Sequence, residues 1–140
     1  MSDDLKKAIA LLEKDGLTCV FVNGEKVFSS TKRGVKPLLE FLESGTDFSA
    51  FSVADKVVGK GAGFLYILLK VKAVYAKVIS KHALNLLNEN GIKVYYDELV
   101  LNVQNRSKTG LCPIETAVLS TYSPTLALEQ IKRTLESLTK

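Results

Sequence analysis

Apolar positions recur at Leu5, Ala8, Ile9 and Leu12, the spacing of one helical face, and Gly16 follows where a left-handed C-terminal cap belongs. The pattern predicts a first helix over residues 3–14. Residues 17–22 and 25–29 then flank Asn23-Gly24, a strong hairpin signal because both turn positions tolerate positive φ, so the first two strands are expected to pair antiparallel. Both faces of the first strand are largely apolar: Leu17, Cys19 and Phe21 point one way and Thr18, Val20 and Val22 the other. Such a strand belongs inside a sheet, with helices on both sides.

Pro37 near the start and Gly45 past the end bracket a helix over residues 35–44, with Leu38, Leu39 and Leu42 facing inward. Ser52 and Asp55 have the spacing of a capping box, which predicts a long helix from Val53 to about Lys70. Ala73 to Ile79 reads as an apolar strand. Ser80 caps the next helix, which carries Ala83, Leu84 and Leu87 and ends at Gly91. Residues 92–96 form the following strand, giving a parallel strand-helix-strand unit, and 99–103 reads as a further strand. After a polar loop over 104–110, Pro113 opens a short helix and Ser123-Pro124 opens the last one. The last helix turns Leu128, Ile131, Leu135 and Leu138 inward, with Glu129 and Arg133 outside at i,i+4. The order describes a three-layer α/β/α sandwich on a mixed sheet.

Composition narrows the classes. A chain of 140 residues with 46% hydrophobic residues fits one domain with a substantial core. The opening Met-Ser-Asp-Asp lacks the basic start and apolar run of a secretory signal, so a cytoplasmic protein is expected. The apolar run from Phe64 to Ile79 is broken by Lys70, Lys72 and Lys77, which suits a buried helix and strand and argues against a membrane span. Cys19 and Cys112 are too few for a disulfide framework and read as free thiols. Net charge is +4, with six lysines and one aspartate between residues 52 and 81. That balance favours an anionic partner, but the aromatics alternate with aliphatics as strand cores do, so nucleic acid is not the expected partner.

Val58-Gly59-Lys60, together with Asn105-Arg106 leading into Gly110-Leu111-Cys112-Pro113-Ile114-Glu115, resembles an uncharacterised prokaryotic domain family over essentially the whole chain. The resemblance implies a cytidine-deaminase-like fold with a five-stranded sheet in the order 2-1-3-4-5. Zinc deaminases need a His or Cys two residues before a Glu at one helix start, and Pro-Cys-x-x-Cys at the next. Here the first segment, Ser52 to Lys60, holds no His, Cys or Glu, and Ser80-Lys81-His82-Ala83 has one imidazole and no thiol. No zinc site and no cofactor are expected.

Two short blocks remain as candidate chemistry. Gly59, Gly61 and Gly63 beside Lys60 would let a backbone approach an anion that the ammonium neutralises, or would simply admit a neighbouring element against one helical face. Cys112 falls at the N-cap of a helix begun by Pro113, where the dipole favours a thiolate, and Glu115 opposes that or acts as a base. An ordinary capping arrangement explains the same residues. His82 and Ser80, at a helix start after a strand, are a candidate base and ligand contact; Asn105 and Arg106 could clamp a phosphate or carboxylate. Asp55 would line the pocket. The resulting expectation is a metal-independent, homo-oligomeric protein that binds a small anionic molecule, nucleotide-like or phosphorylated. Its alternatives are a cysteine-dependent amide or amidine hydrolase using Cys112, Glu115 and His82, and a structural module with a vestigial site.

Overall fold

Ser2 accepts the Leu5 N–H and starts helix α1, Asp3–Leu12, in a computed structural model that describes residues 1–14, 16–104, 110 and 112–138. Strands β1, Cys19–Asn23, and β2, Lys26–Ser30, form the antiparallel hairpin. Asn23 pairs with Lys26, so the two turn residues are Gly24 and Glu25, one position later than the Asn-Gly pattern suggests. Gly24 has φ +62°, the left-handed value that a first turn position occupied by glycine satisfies without strain. Helix α2 is Lys36–Glu43.

The main departure comes next. Residues Ser52–Val58 are strand β3, and the helix α3 spans only Lys60–Leu69, with Gly59 as its N-cap. The Ser52 and Asp55 spacing imitates a helix start. The β-branched residues Val53, Val57 and Val58 favour a strand instead, and Val53, Ala54 and Val58 are fully buried there between β1 and β4. Strand β4 is Ala73–Ser80, α4 is Lys81–Glu89, and β5 is one continuous strand, Lys93–Val100, where the sequence suggests two pieces. Helices α5, Pro113–Ala117, and α6, Pro124–Leu138, close the described chain. In α6, Ile131 is buried and Leu128 and Leu135 pack on the core, whereas Leu138 is exposed.

The sheet is mixed and open, ordered β2-β1-β3-β4-β5. Strand β1 is antiparallel to β2 and β3, while β3, β4 and β5 run parallel, as their intervening helices α3 and α4 require. Strand β1 is buried on both sides, as its unbroken apolar sequence predicts. Val20 and Val22 pack with Ala54 beneath Leu5, Ala8 and Leu12 of α1. Cys19 and Phe21 join the larger cluster, which holds Leu38 of α2, Phe64 and Leu65 of α3, Leu87 of α4 and Ile131 of α6. Phe21, Phe28, Phe41, Phe48 and Phe51 stack edge-on within it, and this aromatic knot fastens α2 to the hairpin.

Candidate functional site

The N-terminus of α3 follows directly from β3, and its first N–H groups have no partner within the helix. They meet Glu115. The carboxylate accepts the Lys60 N–H at Oε1 (2.7 Å) and the Gly61 N–H at Oε2 (2.9 Å). Both bonds are buried, and Glu115 itself is only 8% exposed. A glycine-rich helix start does hold an anion here, and the anion is a side chain of the same chain. Gly59 is extended, with φ −97°, so its backbone suits any residue. Space excludes a side chain instead: a Cβ on Gly59 would lie 2.2 Å from Glu115 Oε1, and one on Gly61 would lie 2.6 Å from Ile114 Cγ2. Gly63 is different, since a Cβ there would make ordinary contacts with Leu86 and Ala83 of α4. The close approach permitted by Gly59 and Gly61 is therefore that of α5.

Lys60 is also turned inward. Its ammonium donates to the Leu119 carbonyl (2.8 Å) and sits 4.9 Å from the centre of the Tyr122 ring, tying α3 to the turn between α5 and α6. Burial lowers its pKa, with the Glu115 charge opposing. Lys60 does not line the main cavity.

That cavity, of about 680 Å³, opens beside the carboxyl-terminal end of β3, where a neighbouring antiparallel strand on one side and a parallel one on the other leave a crevice. Its walls come from Thr18 and Cys19 at the start of β1, Arg33, Val35, Pro37 and Leu38 around the start of α2, Asp55 to Val57 of β3, Gly59 and Ala62 at the start of α3, and Val103, Gln104, Cys112, Ile114 and Glu115. Asp55, Gly59, Cys112 and Glu115 are thus brought together. His82 is not among the lining residues and lies exposed on α4, and Ser80 is fully buried as the cap of α4, accepting the Ala83 N–H. Asn105 and Arg106 lie outside the described residues.

Asp55 is the chemically distinctive group. Its Oδ2 accepts the hydroxyl of Tyr66 at 2.5 Å, and its Oδ1 accepts the Val57 N–H at 3.3 Å. Cys19 is its cross-strand partner on β1, so thiol and carboxyl share one face of the sheet. Burial pushes the Asp55 carboxyl up to about 7, against the opposing pulls of the Tyr66 hydroxyl and the Val57 and Lys56 N–H groups. The carboxyl is enclosed by protein yet keeps access to water through the cavity it lines. Burial, then the Asp55 charge, pushes the Cys19 thiol well above its usual value, and the same two causes, with Cys19 third, raise Tyr66. Cys19 is inert as a nucleophile in this setting.

Cys112 lines the cavity as the N-cap of α5, partly buried, with its carbonyl accepting the Thr116 N–H at 3.0 Å. Of the two proton carriers the sequence offers for it, Glu115 has both oxygens bonded to backbone N–H groups and His82 lies outside the cavity. Tyr66 and Arg33 escape sequence inspection. Tyr66 sits in an apolar helix where a buried hydroxyl demands a partner, a signal readable only once α3 is known to start after Asp55. Among the described residues, no cluster of three or more His, Cys, Asp or Glu side chains could hold a metal ion, and no helix is long and apolar enough to cross a membrane.

This fold and cavity define an α/β protein with an open, mixed five-stranded sheet and a cavity at its switch point that Asp55 and Glu115 line. Residues 7–135 match the family described as a domain of unknown function (DUF1893), and the chain belongs to that family. It is similar to the crystal structure of a DUF1893 family protein from Thermotoga maritima, with 33% sequence identity, a TM-score of 0.85, and coverage of 98% of this chain and 92% of that one. No curated protein matches.

Proposed function

We propose that the chain is a cytoplasmic small-molecule-binding protein of cytidine-deaminase-like fold, a three-layer sandwich that takes a small anionic molecule, nucleotide-like or phosphorylated, into the cavity beside β3. The single observation behind this reading is the cavity's wall. Its volume of about 680 Å³ suits a metabolite-sized ligand. Arg33 and Lys56 line it without a carboxylate partner among the described residues, and Asp55 offers a polar contact at the Tyr66 end. In this reading Arg33 and Lys56 meet the anion, in place of Lys60, whose ammonium is already held by Leu119 and Tyr122. A deaminase-like chain with no zinc-ligand set along Ser52 to Lys60 fits a binding role independent of metal.

Thermal-shift titration with adenosine monophosphate, ribose 5-phosphate and inorganic phosphate tests the proposal. At a ligand concentration 100 times Kd, stabilisation is about 2.7 kcal/mol. The wild type and Lys60→Met should respond alike, and Arg33→Ala combined with Lys56→Ala should lose the response. No shift with any probe, or equal shifts in all variants, would count against it.

A homo-oligomer is a second reading, supported by the edge strand β5, which exposes Tyr96 and Leu99 at 43% and 44%. Light scattering decides it: a monomer at micromolar concentration removes this reading.

A further inference from the structure

The cavity has one group whose geometry goes beyond holding a ligand. We propose that Asp55, oriented by the Tyr66 hydroxyl, is the catalytic acid-base of an enzyme that moves a proton on a small carbonyl-bearing anion. The inference rests on the reading that this cavity binds an anion.

Three observations support it. Asp55 lines the cavity, and Tyr66, fully buried in α3, fixes one carboxyl oxygen at 2.5 Å while Val57 N–H holds the other at 3.3 Å. A carboxyl held at both oxygens is oriented, which is what proton transfer in a defined direction requires. Cys19 from β1 and Tyr66 from α3 face it directly, and Lys56 of its own strand, Arg33 from the segment before α2, and Cys112 and Glu115 from the start of α5 line the same cavity. Cys19 and Tyr66 stay protonated through burial, and both Glu115 oxygens accept backbone N–H groups. Its titration near 7, caused first by burial, places carboxylate and acid in comparable amounts at neutral pH, where an acid-base group is most effective.

Thr18 donates its hydroxyl towards the Ser30 and Lys32 carbonyls, at 3.0 and 2.6 Å, so it does not compete for the proton of Asp55. The chemistry proposed for this centre is proton movement. The Asp55 carboxylate takes a proton from carbon adjacent to a carbonyl, and the C–H bonding pair moves into a new C=C bond as the carbonyl oxygen becomes an enolate. The same carboxyl then returns a proton to that carbon, which restores the C–H bond and the carbonyl. Nothing is oxidised overall, and no co-reactant enters. Arg33 and Lys56, which line the same cavity, would hold the substrate's anionic end.

The test is hydrogen exchange in deuterated buffer, read by proton NMR, with pyruvate, dihydroxyacetone phosphate and ribose 5-phosphate as probes and thermal shift run in parallel. The expected result is loss of a C–H signal at least 100-fold faster with protein than without for one probe, rising with pH through a midpoint near 7. Asp55→Asn should lower that rate about 100-fold or more while the probe still raises Tm. Tyr66→Phe removes the donor that favours the carboxylate, so its rate should persist with the midpoint moved to higher pH, a change a merely structural tyrosine would not produce. A probe that raises Tm but exchanges at the buffer rate, or equal rates in wild type and Asp55→Asn, overturns the catalytic assignment and leaves binding intact. If no probe either binds or exchanges, both readings fall.

Discussion

Replacing Glu115 should unlatch α5 from the start of α3. The carboxylate is the acceptor for two buried N–H groups, at 2.7 and 2.9 Å, 55 and 54 residues away in sequence. Hydrogen bonds to a charged group contribute about 1.5–3 kcal/mol each, and a negative charge at a helix N-terminus adds about 0.3–1 kcal/mol. The cavity beside Gly59 lets water reach the freed N–H groups, which offsets part of that loss. Glu115→Ala should cost about 3 kcal/mol, and Glu115→Gln, which keeps one acceptor, about 1–2 kcal/mol. Urea denaturation followed by circular dichroism measures both. A second variant makes the argument specific. Gly59→Ala has no backbone conflict at φ −97°, so its cost arises from a Cβ placed 2.2 Å from Oε1, which displaces the carboxylate. It should cost about 2 kcal/mol in the wild type and under 1 kcal/mol once Glu115 is alanine, a coupling typical of residues in contact. A loss below about 0.5 kcal/mol for Glu115→Ala, or an equal cost of Gly59→Ala in both backgrounds, would refute the reasoning.

Asp55 should make the protein's stability fall with rising pH. Its folded pKa is raised from the ordinary 3.8 to about 7, so both states are protonated below about 3.8, and above that the unfolded chain ionises first. Stability from this group is present below the unfolded value and is lost as pH rises through the folded one, by roughly 4 kcal/mol in the limit. Asp55→Asn cannot ionise and keeps an acceptor for Tyr66, so relative to wild type it should gain at least about 1 kcal/mol between pH 5 and pH 8.5 in urea titrations. A difference independent of pH would mean that the carboxyl titrates normally. Iodoacetamide at neutral pH should label Cys112, on the cavity wall, well before Cys19, which is 2% exposed and has its thiol pKa pushed up by burial. Peptide mass spectrometry reads the order, and equal slow labelling of both would contradict the cavity's access to Cys112.

Much of the architecture is visible in local pattern. The two-sided apolarity of Cys19 to Val22 places β1 inside the sheet, and Ser80 caps α4 as its position before Ala83 suggests. Residues Ser52–Val58 mislead because a serine three residues before an aspartate resembles a helix start, and only pairing with β1 and β4 makes them a strand. Asp55 was legible as a pocket residue, but its bond to Tyr66 was not, since in a helix its carboxyl would have been a cap and in a strand it faces Tyr66. The glycines of residues 59–63 were legible as a close approach. What approaches was not, because Glu115 is brought there by the return of the chain after β5, a contact with no local signature.

The sequence by itself determined the alternation of helices and strands outside β3, the buried first strand, and which residues carry charge or a thiol, because these depend on periodicity and side-chain type. Tertiary structure decided which of them meet. It spent the glycine-rich helix start on Glu115, turned Lys60 to Leu119 and Tyr122, and joined Asp55 with Tyr66 at a cavity shared by both cysteines. The reason is physical: a buried N–H, ammonium or hydroxyl must find a partner, and in a folded chain the nearest partner is set by how elements pack and not by distance along the sequence.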